Sequence, residues 1–147
     1  MARTDFSSAD CSVARGLTEV GDVWSFLIIR EAMFGVRRYS DFQRKLDIAK
    51  NILRDRLNTL VENGILDKVN VGEYGTRFEY VLTEKGRDLL PIVITIRQWA
   101  DKWIEPEKRN ILVVKDAENN QPLPRIEVRN RKGKPLGLED ITASMPR

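Results

Sequence analysis

Residues 47–66 read DIAKNILRDRLNTLVENGIL. Leu53, Leu57, Leu60 and Val61 recur at three- and four-residue spacing, which predicts a helix with one apolar stripe. Gly64 supplies its stop. The polar side of that helix carries Lys50, Asn51, Arg54, Arg56 and Asn58. Just upstream, Ser40 stands before Asp41 and Phe42 as an N-cap, and Phe42 and Leu46, four apart, predict a short helix over 40–46. Only Asp47-Ile48-Ala49 separates the two, so the pair reads as a helix-turn-helix unit.

Working outward towards the N-terminus, Val13, Leu17 and Val20 predict a first helix over 12–20 with one buried stripe. Asp22 is placed to cap a second helix whose inward face is Trp24, Leu27, Ile28 and Ala32, ending near Phe34-Gly35. Towards the C-terminus, residues 65–71 and 76–82 are rich in branched and aromatic side chains. With Gly72-Glu73-Tyr74-Gly75 between them they read as a hairpin. Thr83 caps the next helix, and Pro91 forces it to kink or restart. Beyond Pro91, Ile92, Val93, Ile96, Trp99, Ala100 and Trp103 cover more than one side of the helix. So wide an apolar surface needs a second partner, most simply another copy of the chain.

From residue 105 onward the character changes, with prolines at 106, 122, 124, 135 and 146. Branched runs at 111–114 and 126–128 suggest strands, and Asn119-Asn120 and Lys132-Gly133-Lys134 suggest turns. The expected organisation is a domain over 1–104 and a small β-rich or partly disordered extension over 105–147, its tail at 142–147 the least ordered part.

Composition bounds the function. The chain has 147 residues, 41% of them hydrophobic and 32% charged, which suits a folded soluble protein. It holds no apolar run of membrane-spanning length and no secretory core in MARTDFSSADC, so cytoplasmic residence without membrane association is expected. There is no histidine, and Cys11 is the one cysteine. The usual zinc ligand sets and the commonest general base are therefore missing, and neither enzyme activity, metal nor cofactor is expected. The net charge of +3 is too small to argue for nucleic acid. Its distribution says more, because residues 37–56 hold seven cations against three acids, a local excess of four.

Four helices, a hairpin and a last long helix are the layout of a winged helix-turn-helix, an α+β fold that is mainly α. The stretches GDVWSFLIIREAMFGVRRYSDFQRKL (21–46), NILRDRLNTLVENGIL (51–66) and TRFEYVLTEKGRDLLPI (76–92) closely resemble the HxlR family of bacterial transcriptional regulators. The resemblance covers about residues 11–103. It implies a homodimer on palindromic double-stranded DNA in the bacterial nucleoid, joined through the first and last helices, with Val13, Leu17, Ile96, Trp99 and Trp103 at the interface. It implies backbone contacts from Arg37, Arg38 and Ser40, with Arg77 on the wing beside Tyr74. Lys50, Asn51, Arg54 and Asn58 are then the residues set to read base edges, since Arg and Lys match guanine and Asn matches adenine. Asp55 can accept from cytosine, and Arg56 can instead pair internally with Asp41 or Glu62.

Cys11 matches the cysteine that senses oxidants or electrophiles in redox-responsive members. A cysteine at a helix start, with Arg15 one turn on, is in a setting that favours reaction. With no second cysteine the outcomes are a symmetric disulfide, a small-thiol adduct or alkylation. The chain departs from the family at Ala49, where a capping Ser or Thr is common, and in lacking the paired cysteines some longer members carry over the segment matching 111–137. A competing expectation is a winged-helix interaction module whose basic face meets an acidic protein partner.

Overall fold

The computed structural model describes residues 4–105 and 113–145. They fall into two compact units divided in sequence between Val93 and Ile94. The first runs through α1 (Ser12–Val20), α2 (Val23–Met33), α3 (Tyr39–Leu46), α4 (Lys50–Glu62), β1 (Leu66–Asn70), β2 (Phe78–Leu82) and α5 (Glu84–Arg87). Helix α6 (Leu90–Trp103) carries the chain across the division.

Helix α4 is the centre of the first unit and packs against α2, α3 and β1. Its leucines Leu53, Leu57 and Leu60 are fully buried with Ile28 and Ile29 of α2, Phe42 of α3, and Ile65 and Leu66. Each such side chain stabilises the fold by about 1.5–3 kcal/mol relative to exposure. The turn between α3 and α4 is tied to the same core. Asp47 adopts left-handed φ 49° and ψ 43°, a conformation that short polar residues tolerate best after glycine. It thereby turns Ile48 inward, where it is buried.

Strands β1 and β2 pair antiparallel, with Leu66 opposite Leu82, Lys68 opposite Tyr80 and Asn70 opposite Phe78. They are shorter than expected, yet the Val71 N–H still donates to the Arg77 carbonyl at 2.8 Å. The Asn70 carboxamide oxygen accepts from the N–H groups of Gly72 and Arg77, which closes the loop that presents Tyr74.

Several expectations need correction. Of the α1 stripe only Val20 is buried, whereas Val13 and Leu17 are 69% and 54% exposed; periodicity shows that a helix has an apolar face, not what covers it. The inward face of α2 is Ser25, Ile28 and Ile29, with Trp24 and Ala32 partly buried against the core and Leu27 outside it. Ser40 is not the N-cap of α3, which starts one residue earlier with Arg38 at the cap and no side-chain bond.

In the second unit the strand expected at 126–128 does not form; of the one at 111–114, residues 111 and 112 lie outside the described residues. Between 113 and 145 the β content is two isolated bridges, Lys115 with Pro122 and Arg129 with Pro135. Proline lacks the N–H that a ladder needs, so two of the four bridging residues cannot extend one. What anchors this segment is Gln98 of α6, whose side chain donates to the Pro124 carbonyl at 3.1 Å and accepts from the Ile126 N–H at 2.8 Å. The tail expected over 142–147 is irregular through 145, and 146–147 lie outside the described residues.

The restart expected at Pro91 is present, as α5 ends at Arg87 and α6 begins at Leu90. Proline is accommodated there because a first-turn N–H has no intrahelical acceptor. Thr83 caps α5 by accepting from the Gly86 N–H at 3.0 Å, and its hydroxyl donates back to the Gly64 carbonyl at 2.5 Å. The same crossing explains the glycine of LTEKG. A Cβ on Gly86 would stand 2.2 Å from the Ile65 carbonyl oxygen, a backbone atom that cannot swing away. Gly86→Ala should therefore lower stability by about 1–3 kcal/mol, the usual range for overpacking. A urea midpoint unchanged from wild type would show that the α5 crossing can relax.

Candidate nucleic-acid interface

The orientation of α4 decides which residues can meet a partner. With the leucine stripe inward, Asn51, Arg54 and Asn58 are exposed and fall within about 60° of one another at roughly 100° per residue. Lys50 is exposed in the first turn, about 40° further round towards the buried side. Its carbonyl accepts from the Tyr39 hydroxyl at 2.5 Å, which ties the start of α4 to the start of α3. Ala49 at the N-cap makes no side-chain bond, so the α4 N-terminus has only this anchor from a side chain of α3.

Arg54 and Asn58 border a groove whose other walls are Tyr39, Lys68, Phe78 and Tyr80. Helix α4 and the hairpin thus form one surface. Lys68 is a residue that the sequence did not single out. Its ammonium lies 4.3 Å from the centre of the Phe78 ring and 6.0 Å from that of Tyr80, a cation–π arrangement that restrains a long side chain. The Tyr80 ring is buried, and burial pushes its phenol above the ordinary range, so it stays neutral. Only the hairpin register brings Lys68 beside those rings.

The cations divide into two groups. Arg44 pairs with Asp41 at 3.0 Å, while Arg56 pairs with Asp22 at 2.6 Å and with Asp55 at 2.8 Å. Of the alternatives open to Arg56 the structure shows internal pairing, but not with Asp41 or Glu62. The actual partner, Asp22, lies 34 residues away at the start of α2. Among the described residues Arg37, Arg38, Lys50, Arg54 and Arg77 make no ion pair, and all five are exposed. Ser40 is exposed in the first turn of α3, and Tyr74 stands at the tip of the wing loop.

Cys11 is exposed and forms the N-cap position of α1. It lies in a shallow groove with Phe6, Val13, Ala14 and Leu17. The Arg15 guanidinium, expected to serve the thiol, donates to the Ala9 carbonyl at 2.6 Å and the Ser12 hydroxyl at 2.9 Å. On α6, Ile96, Trp99 and Trp103 are all more than half exposed. Among the described residues no cluster of side chains could hold a metal ion, and no helix is long and apolar enough to cross a membrane.

A helix-turn-helix whose second helix shares a groove with an antiparallel hairpin is a winged helix-turn-helix. The family model described as HxlR-like helix-turn-helix matches residues 19–108, and the chain belongs to that family of transcriptional regulators. It is 45% identical over 93 residues to Rv3095 of Mycobacterium tuberculosis, an uncharacterized HTH-type transcriptional regulator. That match covers 63% of this chain and 59% of the mycobacterial protein, so the chain spans less than two thirds of that relative. The crystal structure of PA1607, a candidate transcription factor, superposes with a TM-score of 0.90 at 41% identity, over 97% of this chain and 100% of that one. The redox regulator HypR in its reduced form superposes with a TM-score of 0.58 at 28% identity, over 63% of this chain and 92% of HypR.

Asp22 does two jobs that can be separated. It caps α2 by accepting from the Ser25 N–H at 2.9 Å, and it holds Arg56 of α4. Partial burial pushes its carboxyl upward, but the Ser25 N–H and the Arg56 guanidinium outweigh that and leave it below the ordinary carboxylate range. Since the folded value is below the unfolded one, this stabilisation is fully present above the unfolded value and is lost as pH falls through the folded one. Asp22→Ala should lower stability by about 1–2 kcal/mol at neutral pH. Asp22→Asn, which keeps a capping oxygen, should lose less and flatten the acid limb of a stability-versus-pH curve. An acid limb identical in wild type and Asp22→Asn would remove Asp22 from that role.

Proposed function

We propose that this protein is a sequence-specific DNA-binding regulator of transcription that acts as a homodimer on palindromic operators. The observation that carries the reading is the shared groove of α4 and the wing, flanked by cations that form no ion pair among the described residues. In this reading α4 enters the major groove, Arg54, Asn58, Asn51 and Lys50 meet base edges, and Arg37, Arg38, Ser40 and Arg77 meet phosphates. Residues 1–104 bind DNA and dimerise, with Val13 and Leu17 of α1 and Ile96, Trp99 and Trp103 of α6 at the interface. Residues 105–147 are an extension, and the protein works in the bacterial cytoplasm at the nucleoid.

The division into base and backbone contacts has a direct test. Fluorescence anisotropy on operator duplexes selected from genomic fragments should show Arg54→Ala losing about 1–3 kcal/mol of discrimination at one base pair per half-site. Arg38→Ala should weaken all sequences alike and reduce the salt slope by about one per subunit. Uniform loss in both variants would refute the division. Charge reversal at Lys50 and Arg54 that left DNA binding intact would favour an acidic protein partner instead.

We further infer that Cys11 makes operator binding responsive to oxidants or electrophiles, a reading supported by its exposure and by the likeness to HypR. An added oxidant such as diamide would take up the two electrons and two protons released when the Cys11 sulfur bonds to a second thiol. Diamide or a quinone should lower operator affinity of wild type and leave Cys11→Ser unaffected; an equal response in the variant would leave Cys11 without this role.

A further inference from the structure

The end of α2, strand β2 and α5 enclose a second cleft, on which none of the base-reading residues lies. Its volume is about 370 Å³, within the roughly 300–1,000 Å³ typical of small-molecule sites. Met33, Leu82 and Leu90 give it apolar walls, and Arg37 and Arg87 give it two positive charges. Both arginines are exposed, and among the described residues neither forms an ion pair. Leu90 is also the first residue of the 14-residue helix α6, so the cleft borders the start of that helix. Apolar walls beside two guanidinium groups suit one class of ligand, a small molecule with a hydrocarbon or aromatic body and one carboxylate. Arginine engages a carboxylate through two parallel N–H bonds.

We propose that this cleft binds such an amphipathic carboxylate and that the ligand competes with DNA for Arg37. The competition rests on the phosphate contact assigned to Arg37 above, whereas the cleft does not. Two features link the cleft to the DNA-facing surface. Arg37 lines the cleft and is exposed, its carbonyl accepts from the Tyr80 N–H at 2.7 Å, and in the proposed function its guanidinium meets a phosphate. Tyr80 borders both this cleft and the groove of Arg54 and Asn58. A carboxylate bound at Arg37 therefore occupies a phosphate contact, and by linkage DNA weakens the carboxylate by the same factor.

The test uses 3-phenylpropionate as the probe, its neutral amide as the control, and the full chain in a calorimeter. The carboxylate should bind saturably at one site per chain, and the amide should not. Arg87→Ala should weaken the carboxylate about tenfold or more, the loss expected for one charge-assisted contact. Arg87→Lys, which keeps the charge without the fork, should fall between the two. Anisotropy on operator DNA should show wild-type affinity falling as the carboxylate is added. Arg87→Ala should match wild type without carboxylate and stay unchanged with it. Equal binding of acid and amide, equal binding by wild type and Arg87→Ala, or no saturable binding up to millimolar probe would overturn the site. Carboxylate binding that needs Arg87 in a chain that binds no DNA would support the site and overturn its coupling to DNA.

Discussion

Burial of the α4 leucine stripe is the constraint on which the remaining geometry depends. Leu53, Leu57 and Leu60 are inaccessible to solvent, and at about 100° per residue a rotation of α4 by a single position would bring Arg54 and Asn58 into the core and expose a leucine in exchange. Burying an unpaired guanidinium costs several kcal/mol, so the stripe selects one rotation. That rotation turns Asn51, Arg54 and Asn58 outward together. The core and the candidate reading face are thus two consequences of one packing decision, made with Ile28, Ile29, Phe42 and Leu66.

Electrostatics sharpens that decision. Arg56 lies to the side of the stripe and bridges Asp22 on α2 and Asp55 on its own helix. Its side chain is about one fifth exposed, so this pair is screened less than a surface pair. The effect is to remove one cation from the outward face and to lock α4 against α2 at a point where no leucine contributes. Arg54, two residues earlier, forms no ion pair among the described residues. The difference between the structural Arg56 and Arg54, a candidate for base contact, is the presence of Asp22, which also caps α2.

Much of this was legible in the sequence because the determining signals are local. The spacing of Leu53, Leu57 and Leu60, the Gly64 stop, the Thr83 cap and the Pro91 restart each act within a few residues, and all four are where periodicity and capping chemistry put them. What was not legible depends on non-local pairing. Asp22 and Arg56 are 34 residues apart, and Lys68 meets Phe78 only after β1 and β2 take their register. Ser40 shows the limit of a cap motif, since α3 begins one residue earlier and leaves it inside the first turn. In the extension the branched run at 126–128 signals a strand, but Pro122, Pro124 and Pro135 withdraw donors from any partner, and Gln98 takes the Ile126 N–H instead. For the candidate site, the sequence named the free cations of α4 and of the α2–α3 junction. It missed Lys68, which meets Phe78 and Tyr80 through the β1–β2 register, and the cleft at Arg87, which exists only once β2 is laid against α2.

The apolar faces of α1 and α6 follow from the same distinction between periodicity and cover. Ile96, Trp99 and Trp103 are spaced at three and four residues, so they share one side of α6, and each is more than half exposed. Val13 and Leu17 repeat the pattern on α1. A tryptophan can bury 150–250 Å², which at about 25 cal/mol per Å² makes two of them worth several kcal/mol to whatever covers them. Surface of that value on separate helices suits a two-fold interface, because each patch can meet its equivalent and no further element is needed. A dimer built this way also suits the proposed chemistry: two copies of α4 give two half-sites, and two copies of Cys11 give the second thiol that a single chain lacks. In the proposed dimer one second copy would complete both features, covering the exposed stripe and supplying a partner for Cys11.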